Sequence, residues 1–394
     1  MKILAVNAGS SSLKFRLYEM PEGNELMKGN FERIGLDNSF YSFKYDGFKI
    51  QKEAVLRNHV DAVNCLKDEL LSCGVITDFN EIEAIGHRVV HGGDKYSKSI
   101  LIDDVVLNDI DKLSNLAPLH NPGALSGIKA FMNVSNAKMV ACFDTAFHQT
   151  IDKVNYLYSV PLDWYSEYGV RKYGFHGLSH KYINDKVSDM IGKKCNLIVC
   201  HLGNGASLSC IKNGECIDTT MGLTPNAGVM MGTRSGDIDY TLIDYVMKSS
   251  GMSFSDVDTS LNKKSGLLGI TGMSDFRDID KAYLEGESNT VLGMGMYVNR
   301  VVKYIADYYI KLDGEVDGIV FTAGVGENDT LVREMIVNKL NPLGIYLDKL
   351  KNEETVIRNG REGIISMVES KVNVYAYATD EEFLIVSDTY EEVK

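Results

Sequence analysis

Proline is scarce in this chain of 394 residues, with 6 in all, and tryptophan occurs once. No stretch is Pro- or Ser-rich, so no flexible or stiff linker announces a domain boundary. There is no CxxC pair among the 7 cysteines, an odd count, which removes the usual zinc and redox signatures. Cys195 and Cys200 stand nearest one another in the second half, and Cys200 and Cys210 lie inside apolar runs. The cysteines therefore read as small core residues in a reducing compartment. No apolar run approaches the roughly 18–20 residues that span a bilayer. The first apolar segment breaks at Asn7, too early for the roughly 7–15-residue core of a secretory signal. A cytoplasmic protein is expected. Basic residues are outnumbered, 41 against 54, for a net charge of −13. That balance argues against nonspecific nucleic-acid binding, and an anionic ligand would need a local cluster of cations.

What is present is the composition of a soluble globular protein, 44% hydrophobic and 24% charged. The length exceeds one ordinary core, so two domains are expected. The strongest organisational signal is internal. ILAVNAGSSSLKFRLYEM stands near the start and NLIVCHLGNGASLSCIKNGE near residue 200. Each has an apolar run, a small-residue turn with Gly, a Ser-Leu pair and a second alternating strand. Ser12-Leu13 aligns with Ser207-Leu208, and Asn213-Gly214 reads as the tight turn of a further hairpin. Similar hairpins opening two comparable halves argue for a duplicated fold. Helical spacing follows over Val60–Leu71, 239–250 and 291–312. Strand-like runs cover 82–93, 137–148 and 314–328, and a strand followed by a helix closes the chain from 372. Strands alternating with helices indicate α/β domains.

Several short stretches carry chemistry. Asn7 to Ser12 is six small or polar residues, more than the two that a hairpin turn needs. The surplus leaves backbone N–H groups and hydroxyls for an anion, and Lys14 adds a charge on the face opposite Leu13 and Phe15. This is not a GxxxxGK[ST] loop, because the turn leads to a strand rather than a helix. The second hairpin turn, from Leu202 through Gly203, Asn204 and Gly205, strengthens a phosphate-clamp reading over an ordinary loop. IVFTAGVGENDT reads as a buried strand, a Gly turn and a helix capped by Asn328 or Asp329. There Gly324 and Gly326 would let a phosphate or ribose approach a helix N-terminus. Arg88 sits within an apolar strand, which is expensive unless it is paired or faces a cleft. Arg234 lies in a small-residue loop. His176 and His180 are four apart, as in a metal pair, but HExxH is absent and Gly177 weakens a helix start, so metal ligation is disfavoured. Asp144 directly follows an apolar strand, where it is either an active-site carboxylate or a cap. Thr379 with Glu382 reads as a capping box, leaving Glu381 free to face a metal.

The stretches VNAGSSSLKF, GHRVVHGG, APLHNP, CFDTAFH, RKYGFHGLSH, HLGNGASL, MGLTP, MGTRSGDID, TAGVGEN and TDEE together resemble the acetokinase family over nearly the whole chain. The resemblance implies the duplicated actin-like ATPase fold of the sugar kinase, Hsp70 and actin superfamily, two α/β domains around a nucleotide cleft. Residues 1–147, joined by a C-terminal helix 383–394, would form the first domain and 148–382 the second. It implies phosphoryl transfer from ATP to acetate, giving acetyl phosphate and ADP. It further implies a homodimer, for which the tyrosine-rich helix around Tyr297–Tyr309 is the hint in this sequence. By motif match, Asn7 and Glu381 would organise Mg²⁺, for which Mn²⁺ may substitute. Arg88 and Arg234 would hold the carboxylate and the transferring phosphoryl, His176 would stabilise the transition state, and Asp144 would be catalytic. Lys14, His201, Leu202, Gly203, Asn204 and Gly205 would contact phosphate and nucleotide. Asp275, Phe276 and Arg277, with Gly324, Val325, Gly326, Glu327 and Asn328, would enclose the nucleoside. The acyl methyl would rest against Val90, Leu119, Phe175 and Pro225.

Some positions depart from the family's commoner pattern: Leu178 in HGLSH, and the stretches TPNAGVMMG, TDEEF and HNPGAL. None removes a proposed catalytic side chain, but they alter the fine shape of the cleft. A propionate kinase of the same family is the nearest alternative, and Val90 favours the smaller acid. A nucleotide-binding chaperone or filament protein of the same fold would lack the second cationic site that Arg88, Arg234 and His176 supply.

Overall fold

The computed structural model describes residues 1–118 and 120–394. Leu119, expected against the acyl methyl, lies outside the described residues. Two compact units emerge: Met1–Gln149 together with Asp380–Lys394, and Thr150–Thr379.

The first unit holds eight strands: β1 (Lys2–Ala8), β2 (Ser12–Glu19), β3 (Asn24–Glu32), β4 (Phe40–Tyr45), β5 (Phe48–Glu53), β6 (Ile82–Val89), β7 (Ile100–Leu101) and β8 (Lys138–Phe143). They form one sheet in the order β5-β4-β3-β2-β1-β6-β8-β7. Ile3 to Val6 are buried without interruption. The reason is position: β1 lies between antiparallel β2 and parallel β6, with both faces covered. In β2, Leu13, Phe15 and Leu17 are buried while Lys14 is exposed, the expected alternation of a strand with one wet face.

One face packs on helix His59–Ser72, which starts where the Asn58 side chain accepts from the Asp61 N–H. Its Ala62, Val63, Leu66 and Leu70 join Leu13, Phe15, Phe31 and Phe43 in one core. The chain's last helix, Glu381–Val393, approaches β6 so closely that a Cβ at Gly86 would lie 2.2 Å from Thr389 Oγ1 and 2.6 Å from Ile385 Cγ2. The expected Thr379–Glu382 capping box does not form. Asp380 is the N-cap, its carboxylate accepting from the Phe383 N–H at 2.9 Å, while Glu382 lies 3.5 Å from Arg16.

The second unit holds β9 (Leu197–Leu202), β10 (Ala206–Lys212), β11 (Glu215–Thr219), β12 (Gly318–Thr322), β13 (Gly363–Ile364) and β14 (Asn373–Ala376). Its sheet runs β11-β10-β9-β12-β14-β13. Position by position this repeats β3-β2-β1-β6-β8-β7, with the same antiparallel hairpin and the same parallel neighbours. Both hairpins turn through three residues, and their first glycines are tied: Gly9 N to Ser12 O at 2.9 Å, Gly203 N to Gly205 O at 3.1 Å. The internal repeat is thus a repeat of structure. Asn213 and Gly214 both take positive φ, 52° and 79°, as a two-residue turn of the primed type requires.

The TAGVGEN segment differs from the expected Gly turn. Ala323, not a glycine, takes the positive φ of 64°, and the helix Ala323–Asn328 begins at once. Gly326 serves close packing instead, since a Cβ there would lie 3.2 Å from the Phe321 carbonyl carbon. Asp329 then caps Thr330–Lys339 through the Val332 N–H, 2.9 Å away. In helix Ser288–Lys311, Tyr297 and Tyr308 are fully buried in their own unit. Those two tyrosines are core, so the hint they offered of a subunit interface is corrected. All seven cysteines are free.

Gly86→Val should lower the denaturant midpoint by the equivalent of about 1–3 kcal/mol, the usual cost of overpacking. Urea unfolding followed by circular dichroism checks this; an unchanged midpoint would mean the final helix does not need that close approach.

Candidate active site

In the first unit, β6 and β8 end side by side and deliver Arg88 and Asp144 to the same edge. Arg88 Nε lies 3.0 Å from Asp144 Oδ1 and Nη2 lies 2.6 Å from Oδ2, a two-point fork. Asp144 is 1% exposed, and its own N–H donates to the Val89 carbonyl at 3.0 Å. Glu381, at the head of the last helix, places Oε2 3.8 Å from Arg88 Nε. The fork expected to hold a substrate carboxylate is therefore occupied by Asp144, and Nη1 is the part of it left over. Burial works to lower the Arg88 pKa, but Asp144 and Glu381 more than offset it and drive it upward. Burial pushes the Glu381 carboxyl up to about 7, against the pull of Arg88 and with Asp144 adding to the rise.

Two carboxylates around one guanidinium leave a surplus of negative charge. Among the described residues no three His, Cys, Asp or Glu side chains converge into a metal cage. That arrangement suits Mg²⁺, which takes one or two carboxylates and completes its shell with water and phosphate. Asn7, at the end of β1, stands opposite Lys14 in the β1–β2 register. Lys14 faces a separate basin of about 400 Å³ on the outer strand face, with Arg16, Lys28, Lys44 and Glu382. Val90 directly follows β6 and is half-buried.

In the second unit the site is built around the β9–β10 turn. A Cβ at Gly205 would lie 3.3 Å from Arg234 Nη2 and 3.5 Å from His176 Nε2, so only glycine leaves both groups in place. His176 precedes helix Gly177–Ile191 with φ of 57°, a left-handed conformation that is uncommon for a side-chain-bearing residue. Its Nδ1 lies 2.9 Å from Ser207 Oγ, and its ring stacks on His201 at 4.1 Å. His180 Nε2 lies 2.8 Å from the same hydroxyl. The two histidines four apart thus share a serine. His201 Nδ1 lies 2.7 Å from Ser179 Oγ.

Arg234 Nη1 donates to the Pro225 carbonyl at 2.7 Å. Among the described residues no carboxylate pairs with it, and burial alone lowers its pKa. Phe175, beside His176, is 2% exposed.

The other two residues of the turn, Gly203 and Asn204, line a cavity of about 530 Å³. Asp275, Phe276, Arg277, Gly324, Val325 and Asn328 line it too, so eight of the expected nucleotide residues meet there. The rest of that set lies elsewhere. His201 and Leu202 end β9, and Gly205 faces Arg234. Gly326 lies behind the wall, where its carbonyl accepts from Arg333 Nη1 at 2.9 Å. Glu327 is a local brace: Oε1 accepts from the Ala323 and Thr379 N–H groups at 3.1 and 3.0 Å. Ser274, Asp280, Asp329 and Arg358 line the cavity without having been expected. Asp280 was legible in principle, one helical turn beyond Phe276.

A family model described as the acetokinase family matches residues 2–387. The chain is 49% identical over 392 residues to an acetate kinase of Geobacillus sp. (strain WCH70), covering 98% of each sequence. It superposes on the crystal structure of Porphyromonas gingivalis acetate kinase with a TM-score of 0.94 at 41% identity, with 100% of both chains covered. A propionate kinase from Francisella tularensis subsp. tularensis SCHU S4 gives a TM-score of 0.94 at 38% identity, again with 100% of both chains covered. The fold is the two-sheet α/β, actin-like fold of those structures.

The upward shift of Glu381 has a sign. The folded state holds a proton there that the unfolded chain gives up near 4.5, so stability from this group is lost as pH rises from about 4.5 to about 7. In metal-free buffer, Glu381→Gln should gain thermal stability over the parent above about pH 7, by about 2 °C or more, and little below about pH 4.5. Calorimetry across that range measures it; a gain independent of pH would overturn the assignment.

Proposed function

The chain belongs to the acetokinase family, and from that premise we infer that it catalyses reversible phosphoryl transfer between ATP and acetate by direct in-line attack. The acceptor is a carboxylate, ionised at neutral pH because its pKa lies far lower. No strong base is needed. The obstacle is the approach of an anion to the anionic γ-phosphate, so catalysis is positioning and charge stabilisation.

The observation that carries this reading is Arg234: a buried guanidinium with no carboxylate beside it, next to His176 across Gly205, on the turn whose other two residues line a nucleotide-sized cavity. A buried unpaired cation is expensive unless an anion completes it. Arg234 and His176 would meet the transferring phosphoryl, and Arg88 would meet the acetate through the part of its fork that Asp144 leaves free. Asp144 would orient Arg88 rather than abstract a proton. Asn7 and Glu381 would hold Mg²⁺, or Mn²⁺ in its place, which when bound neutralises polyphosphate charge. Gly203, Asn204, Asp275–Arg277, Gly324, Val325 and Asn328 would enclose the nucleotide. Val90, Phe175 and Pro225 would border the acyl group. The two units would be the two actin-like domains of the family, and the seven free cysteines support a cytoplasmic location.

Propionate is the second reading, favoured by the Francisella likeness, and one methylene shifts pocket energy by only about 1–3 kcal/mol. A homodimer is also proposed. Helix Thr241–Ser250 has no buried residue, and Tyr240, Tyr245 and Phe254 are 82%, 72% and 61% exposed. So large an apolar patch on one unit fits a subunit contact.

Trapping of the acyl phosphate with hydroxylamine, using ATP with acetate, propionate or butyrate, tests the reaction: acetate should give the highest kcat/KM. Absence of acetate-dependent ADP formation would defeat the reading. Arg234→Ala should lower kcat by about 10²–10³-fold, as for other transition-state charge donors. Asp144→Asn should stay impaired at saturating acetate at every pH; recovery at high pH would make Asp144 a base after all. Tyr245→Asp should shift the mass seen by light scattering from two copies to one.

A further inference from the structure

The nucleotide-sized cavity has a feature that phosphate binding does not explain. Asp280, on helix Phe276–Leu284, and Asp329, the cap of helix Thr330–Lys339, both line it. Asp329 is 7% exposed. One of its oxygens is used, Oδ1 accepting from Val332 N–H. Its other oxygen, Oδ2, and Asp280 Oδ1 are both shut from water with no hydrogen-bond partner.

Bare carboxylate oxygens in such a place are costly, and two ionised carboxyls side by side more so. One shared proton removes both costs, since the acid can donate to its neighbour. Burial and then Asp329 push the Asp280 carboxyl up to about 7, and burial raises Asp329 as well. The surrounding charges do not cancel the pair. Arg333 faces Asp329, but its guanidinium is spent on the Gly326, Glu327, Asn352 and Thr355 carbonyls and the Asn352 side chain. Arg277 forks onto Asp275, with Nε 3.0 Å from Oδ1. Arg358 reaches Asn328. Tyr297, from helix Ser288–Lys311, is buried and neutral, and burial followed by Asp329 keeps it so.

We propose that Asp280 and Asp329 act as a proton-sharing pair that recognises a neutral hydrogen-bonding group of the nucleoside, either a ribose hydroxyl or a base edge. This rests on the nucleotide reading given above. A phosphate entering here would meet an anion. A neutral group meets one donor and several acceptors, and so the pair turns the nucleoside end of ATP inward. Loss of the shared proton removes the donor and leaves two repelling charges, so nucleotide binding should weaken with rising pH through this pair.

The test is isothermal titration with ATP and Mg²⁺, without acetate, at about pH 6 and about pH 8.5, on the parent and on Asp280→Asn. The phosphates titrate alike in both proteins, so the difference of differences isolates the pair. The parent should lose about fivefold more affinity across the range than the variant, what one lost hydrogen bond costs. The excess should vanish with 2′-deoxy-ATP if the ribose hydroxyl is read, or with ITP if the base edge is read; either supports the pair. Equal pH dependence in parent and variant overturns the proposal, and so does an excess that persists with all three nucleotides, which would be charge without recognition. Should Asp280→Asn not fold, Asp329→Ser keeps a capping oxygen and is read in the same way. Failure of the parent to bind ATP at either pH would instead overturn the kinase reading itself, and the pair's role with it.

Discussion

A guanidinium held away from water with only a carbonyl for company is the point on which the second unit turns. Arg234 is anchored by Pro225, and burial depresses its pKa instead of a carboxylate raising it. Its loop is latched to the hairpin turn, Gly232 N to Asn204 O at 3.0 Å, so the cation and the turn move as one piece. A side chain at Gly205 would intrude on both Arg234 and His176. The turn is therefore short of side chains because its neighbours need the room, as well as to satisfy any ligand.

Arg88 is the contrary case. It has the same functional group in the other half of a duplicated sheet, but it is neutralised by Asp144 and flanked by Glu381. Truncating either partner of such a buried pair leaves a bare charge, the most damaging outcome in an apolar setting. One arginine waits for an anion and the other carries its own. The negative surplus around Arg88 is the complement of the positive surplus around Arg234, which is how a chain of net charge −13 provides for phosphate at one place and a divalent cation at another.

Much of this was legible in the sequence where the pattern was redundant. The duplicated hairpins announced themselves through Ser12-Leu13 and Ser207-Leu208, and the sheet orders bear this out. Asn213-Gly214 left little choice of turn. Legibility failed where two residues competed for one task. Asp380 took the capping role from Thr379 because its carboxylate reaches the Phe383 N–H, and Ala323 took the strained turn that the neighbouring glycines advertised. Glu327 looked like a ligand contact and is a brace. Asp280 and Asp329 drew no notice, since nothing in their local sequence says that two distant carboxyls share a wall. Tyr297 and Tyr308 looked like surface because an amphipathic helix does not state which face it buries.

Ser207 imposes a last constraint. Its hydroxyl lies within hydrogen-bond distance of both His176 Nδ1 and His180 Nε2, yet it carries a single hydrogen. It can donate to one ring only, so the other ring must present an N–H. The tautomers of the two imidazoles are therefore interlocked, and a change of protonation at the exposed ring is answered by a rearrangement at the hidden one.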